Sequence, residues 1–480
     1  MIHRNAKVGP RSFPGILIAG ALIPNATALF LTVIAPRFVW EIRLGDRPIA
    51  LFAVGMAIVS IAFLGWALRL TGGRDRRMRS GRALWLVFAV GLVARIMLIS
   101  STPILEDDFY RYQWDGAVTA TGKNPFLYPP ARFVTAPGID RLLATVGLAP
   151  TPPPKGYEAL ARAGRETLLR VNNPHIATIY PPLAQLGFAA GHLLTPWQLT
   201  GWKIVVLIAE MLTFVLLLGA LRAGRLPLFW SALYWWHPLA LKEFANSAHM
   251  DALLLPFLAG ALWMVIAGRT RLMALFMAGA AAVKLWPLLI VPTLLRRSRA
   301  AFGTGIMVAL VALLLVLPQL VAASANSGLS RYAADWQRNA LVFPGLVAAF
   351  GLVTSDAAAL ARLLVAAIVM GWVAWTWSRD HVAPLDRIRA ASTAILLLIL
   401  LGPTGYPWYA LWLLPFAVVQ PRLPLLVLLA SAPAYYLDFW FQVRANPADW
   451  TWIAPLLSAG PVWLALVVER LWRRPTGPYA

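Results

Sequence analysis

Glu106, Asp107 and Asp108 stand side by side just past the end of an apolar stretch, residues 83–102. Neighbouring carboxylates repel one another, which raises at least one pKa and makes that group a better proton acceptor near neutral pH. An enzyme working at a membrane surface would keep its acids and bases at such a place, whereas an unengaged trio is only a solvated helix-terminal cluster. The trio opens a loop running to about His175 that also holds Asp115, Asp140, Glu158 and Glu166, seven of the 20 acidic residues of a chain whose net charge is +22. A second group of interest is cationic. Lys203, Lys242 and Lys284 lie in apolar stretches, where a charge costs about 2.5–3.5 kcal/mol even on insertion scales. Lys242, Asn246 and His249 fall at i, i+4 and i+7, one polar stripe if the segment is helical; Asp251 falls on another face unless the helix has ended. Lys284, followed by Trp286 and Pro287, suits a turn. These cations either meet an anionic ligand or pair with acids in apolar segments such as Glu210 and Glu243, and Glu210 reads as structural.

The elements that position these residues follow from composition. Hydrophobic residues make up 60% of the 480 and charged residues 13%, with a mean hydropathy of +0.68. A soluble domain with so little polar surface could not cover its core. Apolar stretches able to cross all or part of about 30 Å of hydrocarbon recur from end to end. They cover 14–36, 49–70, 83–102, 176–195, 202–221, 228–241, 252–267, 272–295, 302–323, 357–377, 391–401, 408–419, 423–437 and 452–468. The expected fold is therefore all-α and polytopic, with about 12 to 15 transmembrane helices. Three regions are expected: two helices and a basic loop in 1–82, a core in 83–420 that includes an outer loop 104–175 and whose bounds and catalytic role are implied by a resemblance of its motifs, and C-terminal helices in 421–480.

Arginine sets the expected topology. Clusters at Arg4 and Arg11 with Lys7, between Arg69 and Arg82, at Arg222/Arg225, Arg269/Arg271, Arg296/Arg297/Arg299, Arg379/Arg387/Arg389 and Arg470/Arg473/Arg474 read as cytoplasmic loops that also suit anionic headgroups. The charge is thus a topological signal and not a nucleic-acid footprint. The acidic loop then emerges on the extracytoplasmic face. With 222–225 and 296–299 both inside, 176–221 cannot be two ordinary crossings and 272–295 must be a short hairpin. Pro181, Pro182, Pro287 and Pro292 make broken or re-entrant helices fit both places, and such backbone is tolerated only where protein or a wet cavity surrounds it. Within the loop, 129–154 is rich in Pro and Gly, and 157–171 has the pattern of a helix lying on the interface. The absence of cysteine excludes disulfides and thiol chemistry. The N-terminal basic stretch and apolar span lack a small-residue cleavage site and read as a retained helix.

The order Asp107-Asp108-x-Tyr110-Arg111-Tyr112-x-Trp114-Asp115-Gly116, Gly122-Lys123-Asn124-Pro125-Phe126 and Tyr180-Pro181-Pro182 resembles the multi-spanning glycosyltransferases of the GT-C class. Within that class it is most similar to bacterial polyprenyl-phosphate-mannose-dependent mannosyltransferases and the GPI mannosyltransferases. His249-x-Asp251, Lys284-x-x-Pro287, Tyr332-x-x-x-Trp336-x-x-Asn339 and Pro407-Trp408-Tyr409 add to the likeness, which covers about residues 83–420. The first two helices look like an addition whose role the likeness leaves unexplained.

The resemblance implies a hexosyltransferase, most simply a mannosyltransferase of the cell envelope. It would move a sugar, with inversion, from a polyprenyl-phosphate donor to a lipid or glycan hydroxyl at the extracytoplasmic face of the bacterial inner membrane. The attacking hydroxyl must lose its proton, and one carboxylate at the membrane edge suffices as general base; Asp107 and Asp108 carry that role by resemblance, with Glu106 a weaker candidate. Lys242, His249 and Lys284 are the expected contacts of the donor phosphate, with Arg331 and Arg338 as the fallback. Glu106, Tyr110, Arg111, Tyr112, Trp114, Asp115, Tyr180, Asp251, Trp336, Asn339, Trp408 and Tyr409 are the expected substrate contacts. No cofactor is fixed by the sequence: a divalent cation is left open, since Asp107-Asp108 and His249-x-Asp251 fix too few ligands. A secondary transporter or flippase of a lipid-linked or anionic substrate is the competing class. It would be expected to show an internal repeat, and none is found; a non-enzymatic scaffold would need none of the buried lysines.

Overall fold

The computed structural model describes residues 13–72, 81–134, 155–295, 299–322, 336–379, 383–444 and 451–472. Their regular structure is helical, and a single isolated β-bridge joins Arg338 to Thr404. The longer helices are α1 (Phe13–Ile34), α2 (Ile49–Gly72), α3 (Gly81–Ile99), α4 (Asp108–Ala120), α5 (Pro182–Leu194), α6 (Leu199–Ala223), α7 (Leu255–Ile266), α8 (Thr270–Val283), α9 (Arg299–Ala322), α10 (Ala357–Ser378), α11 (Pro384–Leu401) and α12 (Ile453–Trp472). Eight helices among the described residues are long and apolar enough to cross a membrane: α1, α2, α3, α6, α9, α10, Leu423–Arg444 and α12. The pair Pro238–Asn246 and Met250–Ile266, bent by 104°, makes up to nine. This is a polytopic membrane protein, and its described residues hold fewer full-length spans than the 12 to 15 expected. The physical reason is proline: residues 238–254, 286–294 and 407–419 are cut into short α, 3₁₀ and π pieces that open on Pro238, Pro287, Pro292, Pro407 and Pro415, none of which can donate an intrahelical bond.

Long helices show apolar side chains on their outer faces, as at Leu22 (67% exposed), Leu314 (68%) and Val321 (76%), the surface that lipid would cover. The core between them is packed with Trp235, Trp236, Tyr234, Phe244 and Phe188. Among the described residues, the helices near both chain ends pack on other helices of the bundle. Helix α2 packs against Leu423–Arg444, and α1 packs against α3. Trp66 of α2 donates to the Ile16 carbonyl of α1 at 2.8 Å.

Residues near the two ends of the bundle separate cleanly. At one end Arg389 and Arg422 pair with Glu469 at 2.7 and 2.9 Å. At the other, the entry to α4, the break after Asn246, the end of α8 and the start of Pro407–Ala410 converge. Local backbone explains how. Leu105, at φ +51, turns the chain out of α3 so that Glu106–Asp108 face inward, and Ala248, at φ +56, does the same for His249. Left-handed backbone is uncommon for residues with a Cβ, and here it brackets both halves of the convergence. Helix α4 lies on α5 because Gly116 has no side chain; a Cβ there would meet the Phe188 carbonyl at 2.4 Å. The stretch 176–221 is not two crossings: α5 is short and packs on α4, while α6 alone spans. Over 272–295 the chain breaks where α8 stops, with Lys284 in extended backbone (φ −157°), and resumes as the short pieces Trp286–Ile290 and Val291–Leu294. The interfacial helix expected over 157–171 is two short helices, Glu158–Ala163 and Arg165–Arg170, with Leu168 packed against Trp114.

Candidate functional site

A cavity of about 900 Å³ opens at this end of the bundle. Of the expected site residues, Glu106, Asp107, Asp108, Tyr110, Arg111, Tyr180, His249, Lys284, Trp336, Trp408 and Tyr409 line it, as do Arg47 and Arg338. Arg331 and most of the Pro-rich segment 129–154 lie outside the described residues.

A chain of charged groups runs along the cavity floor. Asn172 Nδ2 donates to Asp107 Oδ1 at 2.8 Å and to Asp108 Oδ1 at 2.6 Å, holding the two carboxylates together. Tyr180 and Tyr112 hydroxyls reach Asp108 Oδ2 at 3.3 and 3.4 Å. His249 Nε2 stands 3.4 Å from the same oxygen, and its Nδ1 is 2.9 Å from Asp251 Oδ2. Asp251, fully buried, receives Lys284 Nζ at 2.9 Å and the Trp412 indole N–H. Lys284 also sits over the rings of Tyr409 and Trp412 at 4.6 and 4.8 Å. Trp408 stacks on His249 at 4.3 Å and on Tyr406 at 4.4 Å. The Tyr406 hydroxyl in turn accepts from Trp336 Nε1 at 3.2 Å.

The three acids respond differently to this setting. Burial, with the charge of Asp108, pushes Glu106 up to about 8. Its Oε1 accepts from the backbone N–H groups of Asp107 and Asp108 at 3.2 and 2.9 Å. Burial and the charge of Asp108 push Asp107 up to about 6, against the pull of Asn172 and Arg47. Burial also opposes the charge on Asp108, but the close approach and charge of His249, with Asn172 and Tyr180, hold it below the usual carboxylate range. One acid is thus kept protonated at neutral pH, one is poised near it, and one is firmly ionised.

Several expected contacts lie elsewhere. Lys242 is fully buried, 3.2 Å from Glu243 Oε2, and Glu243 accepts from the Tyr436 hydroxyl. The polar stripe through Lys242, Asn246 and His249 does not exist, because residues 241–246 form a π-helix and the chain breaks at Ala248. Asn246 instead ties down the loop after α3 through Ser101 Oγ and the Thr102 carbonyl at 2.9 and 2.8 Å. Trp114 packs on Phe133, and Asp115 is buried beside Gln185. Asn339 sits in a separate small pocket, donating to the Gly405 carbonyl. Tyr112 and Asp251 lie beneath the cavity wall and act through Asp108, His249 and Lys284. Sequence reasoning missed Asn172, Trp412 and Arg47; the turn-forming run Asn172-Asn173-Pro174 was the one available signal. Lys203 donates to the Leu98 and Ser101 carbonyls, and Glu210 pairs with Arg95.

Glu106, Asp108 and His249 each offer a ligand atom, all within 4.8 Å of one another. Such an O,O,N set suits a divalent transition metal, and the buried His249 Nε2 has no aligned hydrogen-bond partner among the described residues. Compared with protein-family models, with curated proteins and with solved structures, the chain shows no match.

Proposed function

We propose that this protein is a membrane glycosyltransferase that moves a sugar, mannose in the simplest reading, from a polyprenyl phosphate to a lipid or glycan hydroxyl at the extracytoplasmic membrane surface. One observation carries the reading: two carboxylates of unlike basicity and the Lys284 ammonium border one cavity at one end of a helical membrane bundle. Asp107 is the base. Its Oδ1 accepts from Asn172, while its Oδ2 takes no side-chain hydrogen bond among the described residues, so a lone pair is open to a hydroxyl. A carboxyl poised near 6 accepts a proton better than an anchored acid at the same pH. Asp108 is spent on Asn172, Tyr180, Tyr112 and His249, and holds the ionised charge that raises Asp107.

In the proposed step the acceptor oxygen attacks the anomeric carbon as its proton passes to Asp107. The bond from that carbon to the phosphate oxygen breaks, and the electron pair leaves with polyprenyl phosphate. A single displacement inverts the anomeric centre. Lys284 and His249, each held by Asp251, face the developing phosphate charge, and charge-assisted contacts of this kind are the strong ones. Trp408, Trp336 and Tyr409 supply flat apolar faces for the sugar. Where a divalent cation is bound, Glu106, Asp108 and His249 would hold it, and it would supply positive charge for the phosphate; chelation followed by metal analysis of the purified protein tests this.

The test is transfer of label from a short-chain polyprenyl-phosphate mannose in detergent micelles with membrane-lipid acceptors, where no gradient exists. Labelled product that disappears with Asp107→Asn supports the reading. Absence of transfer, with uptake or flipping of a lipid-linked substrate in sealed vesicles, would replace it by the transporter reading.

A further inference from the structure

The helices α1 and α2 have no role in the chemistry above, yet the loop that joins them, residues 35–48, forms one wall of the cavity through Phe38, Trp40, Leu44 and Arg47. The loop is strapped down by Arg170. Its guanidinium pairs with Glu41 at 3.0 Å and with Glu166 at 2.7 Å, and it lies over the rings of Trp40 and Tyr110 at 5.7 and 5.6 Å. Trp40 meets Tyr110 edge-on at 5.7 Å and stays 47% exposed at the mouth.

Arg47 differs from the other cations along the wall. Lys284 is paired with Asp251, Arg338 with Asp438 at 2.8 Å, and His249 lies between Asp108 and Asp251. Arg111 is buried and spent on the carbonyls of Asn172, Asn173 and Ile176. Arg47 has no carboxylate within ion-pair distance among the described residues. Its Nε and Nη2 donate to the Ile42 and Val39 carbonyls at 2.9 and 3.2 Å, which fixes the guanidinium plane. The rest of the five donors on an arginine take no acceptor among the described residues. Its charge acts on Asp107 without an ion pair. An oriented, partly exposed guanidinium beside the acid end of a cavity is a site for a bidentate oxyanion.

We propose that the loop 35–48 is an anion subsite for the acceptor: Arg47 grips a phosphate or carboxylate of an amphiphilic acceptor, and Trp40 covers the adjoining polyol or sugar ring. The assignment to the acceptor rests on the reading of Asp107 as base, since Arg47 lies on the Asp107 side and Lys284 on the donor side. The acceptor class is an anionic lipid with a hydroxyl-bearing headgroup. Because the loop joins two membrane helices, it lies at the depth where such headgroups sit.

The experiment is calorimetric binding to the full chain in detergent, with three probes: dihexanoyl phosphatidylglycerol, dihexanoyl phosphatidylcholine and farnesyl phosphate. The expected result is tighter binding of the glycerol lipid than of the choline lipid. Arg47→Ala should then lose roughly tenfold or more for the glycerol lipid, with partial recovery in Arg47→Lys. Farnesyl phosphate should stay within about twofold of wild type, well below the loss expected of a charge-assisted contact. Arg43→Ala, an exposed charge on the same loop, should change nothing. Since Arg47 also holds two carbonyls, Arg47→Gln is the variant read if Arg47→Ala lowers the melting temperature. Equal loss for farnesyl phosphate would move the subsite to the donor and overturn the proposal, as would an unchanged glycerol-lipid affinity or an equal loss in Arg43→Ala. If the lipid arm behaves as expected but no sugar is transferred, the subsite stands and the glycosyl-transfer reading falls.

Discussion

Two buried charge networks in this bundle look alike in composition and differ in consequence. Arg95 and Glu210 meet at 2.6 Å with both side chains 1% exposed. The guanidinium also donates to the Trp235 carbonyl at 2.7 Å and lies 3.6 Å from the centre of that ring. Every contact is internal, and the pair serves to lock α3 to α6. The chain Asp108, His249, Asp251 and Lys284 is equally costly to desolvate, yet its two outer members keep 22% of their side chains open to the cavity. Buried charge alone therefore does not mark a site. What separates the networks is access: a closed pair can only hold helices together, while an open-ended chain has charge left for a ligand.

The strongest way to break this contrast is to remove the proposed base. Asp107→Asn should lower turnover by about 10²–10⁴ with the melting temperature kept, measured as label transfer in detergent; full turnover would sink the assignment. Glu210→Ala should do the reverse. It strands Arg95 and should cost about 3–5 kcal/mol of stability, seen in thermal or denaturant unfolding, while the protein that stays folded should keep the donor and acceptor saturation of the proposed transfer. Lys284→Ala should raise half-saturation by donor by roughly ten- to a hundredfold with acceptor saturation little changed, and Lys284→Arg should recover part of it. A change confined to acceptor saturation would move the phosphate site.

Smaller effects come from pH. If Asp107 is the base, the rate should climb as pH rises through about 6, where its carboxyl loses its proton, and Glu210→Gln should leave that profile alone. Glu106 works in the opposite sense. Its folded pKa, about 8, exceeds the ordinary 4.5, so the folded state holds a proton that the unfolded chain releases. Its contribution is complete below about 4.5 and is lost as pH rises to 8. Melting temperature should therefore decline across that window, and Glu106→Gln should flatten the decline.

Much of this was legible along the chain. The acidic trio and Lys284 stood out because charge is scarce in this chain, and Tyr110, Arg111, Tyr180, Trp336, Trp408 and Tyr409 stood out through the order of the motifs; all of them line one cavity. The trio's unequal basicity was not legible, since it depends on Asn172 and His249, 64 and 141 positions further on. The motif residues Trp114 and Asp115 read as substrate contacts, but together with Gly116 they pack α4 onto the rest of the outer region. Helical spacing mispaired Lys242 with His249, because periodicity assumes an unbroken helix and the chain has a π-turn followed by a left-handed residue.

Local rules were enough for the membrane class and for singling out the acidic trio at the end of an apolar stretch, since hydropathy and charge act residue by residue and do not depend on what lies across the fold. Tertiary structure alone decided which buried charge stays open to the cavity, which of three adjacent acids is held near neutrality, and that the loop 35–48 forms a wall of the cavity. Those properties arise from burial and from distances between residues remote in sequence, and neither quantity exists until the helices have packed.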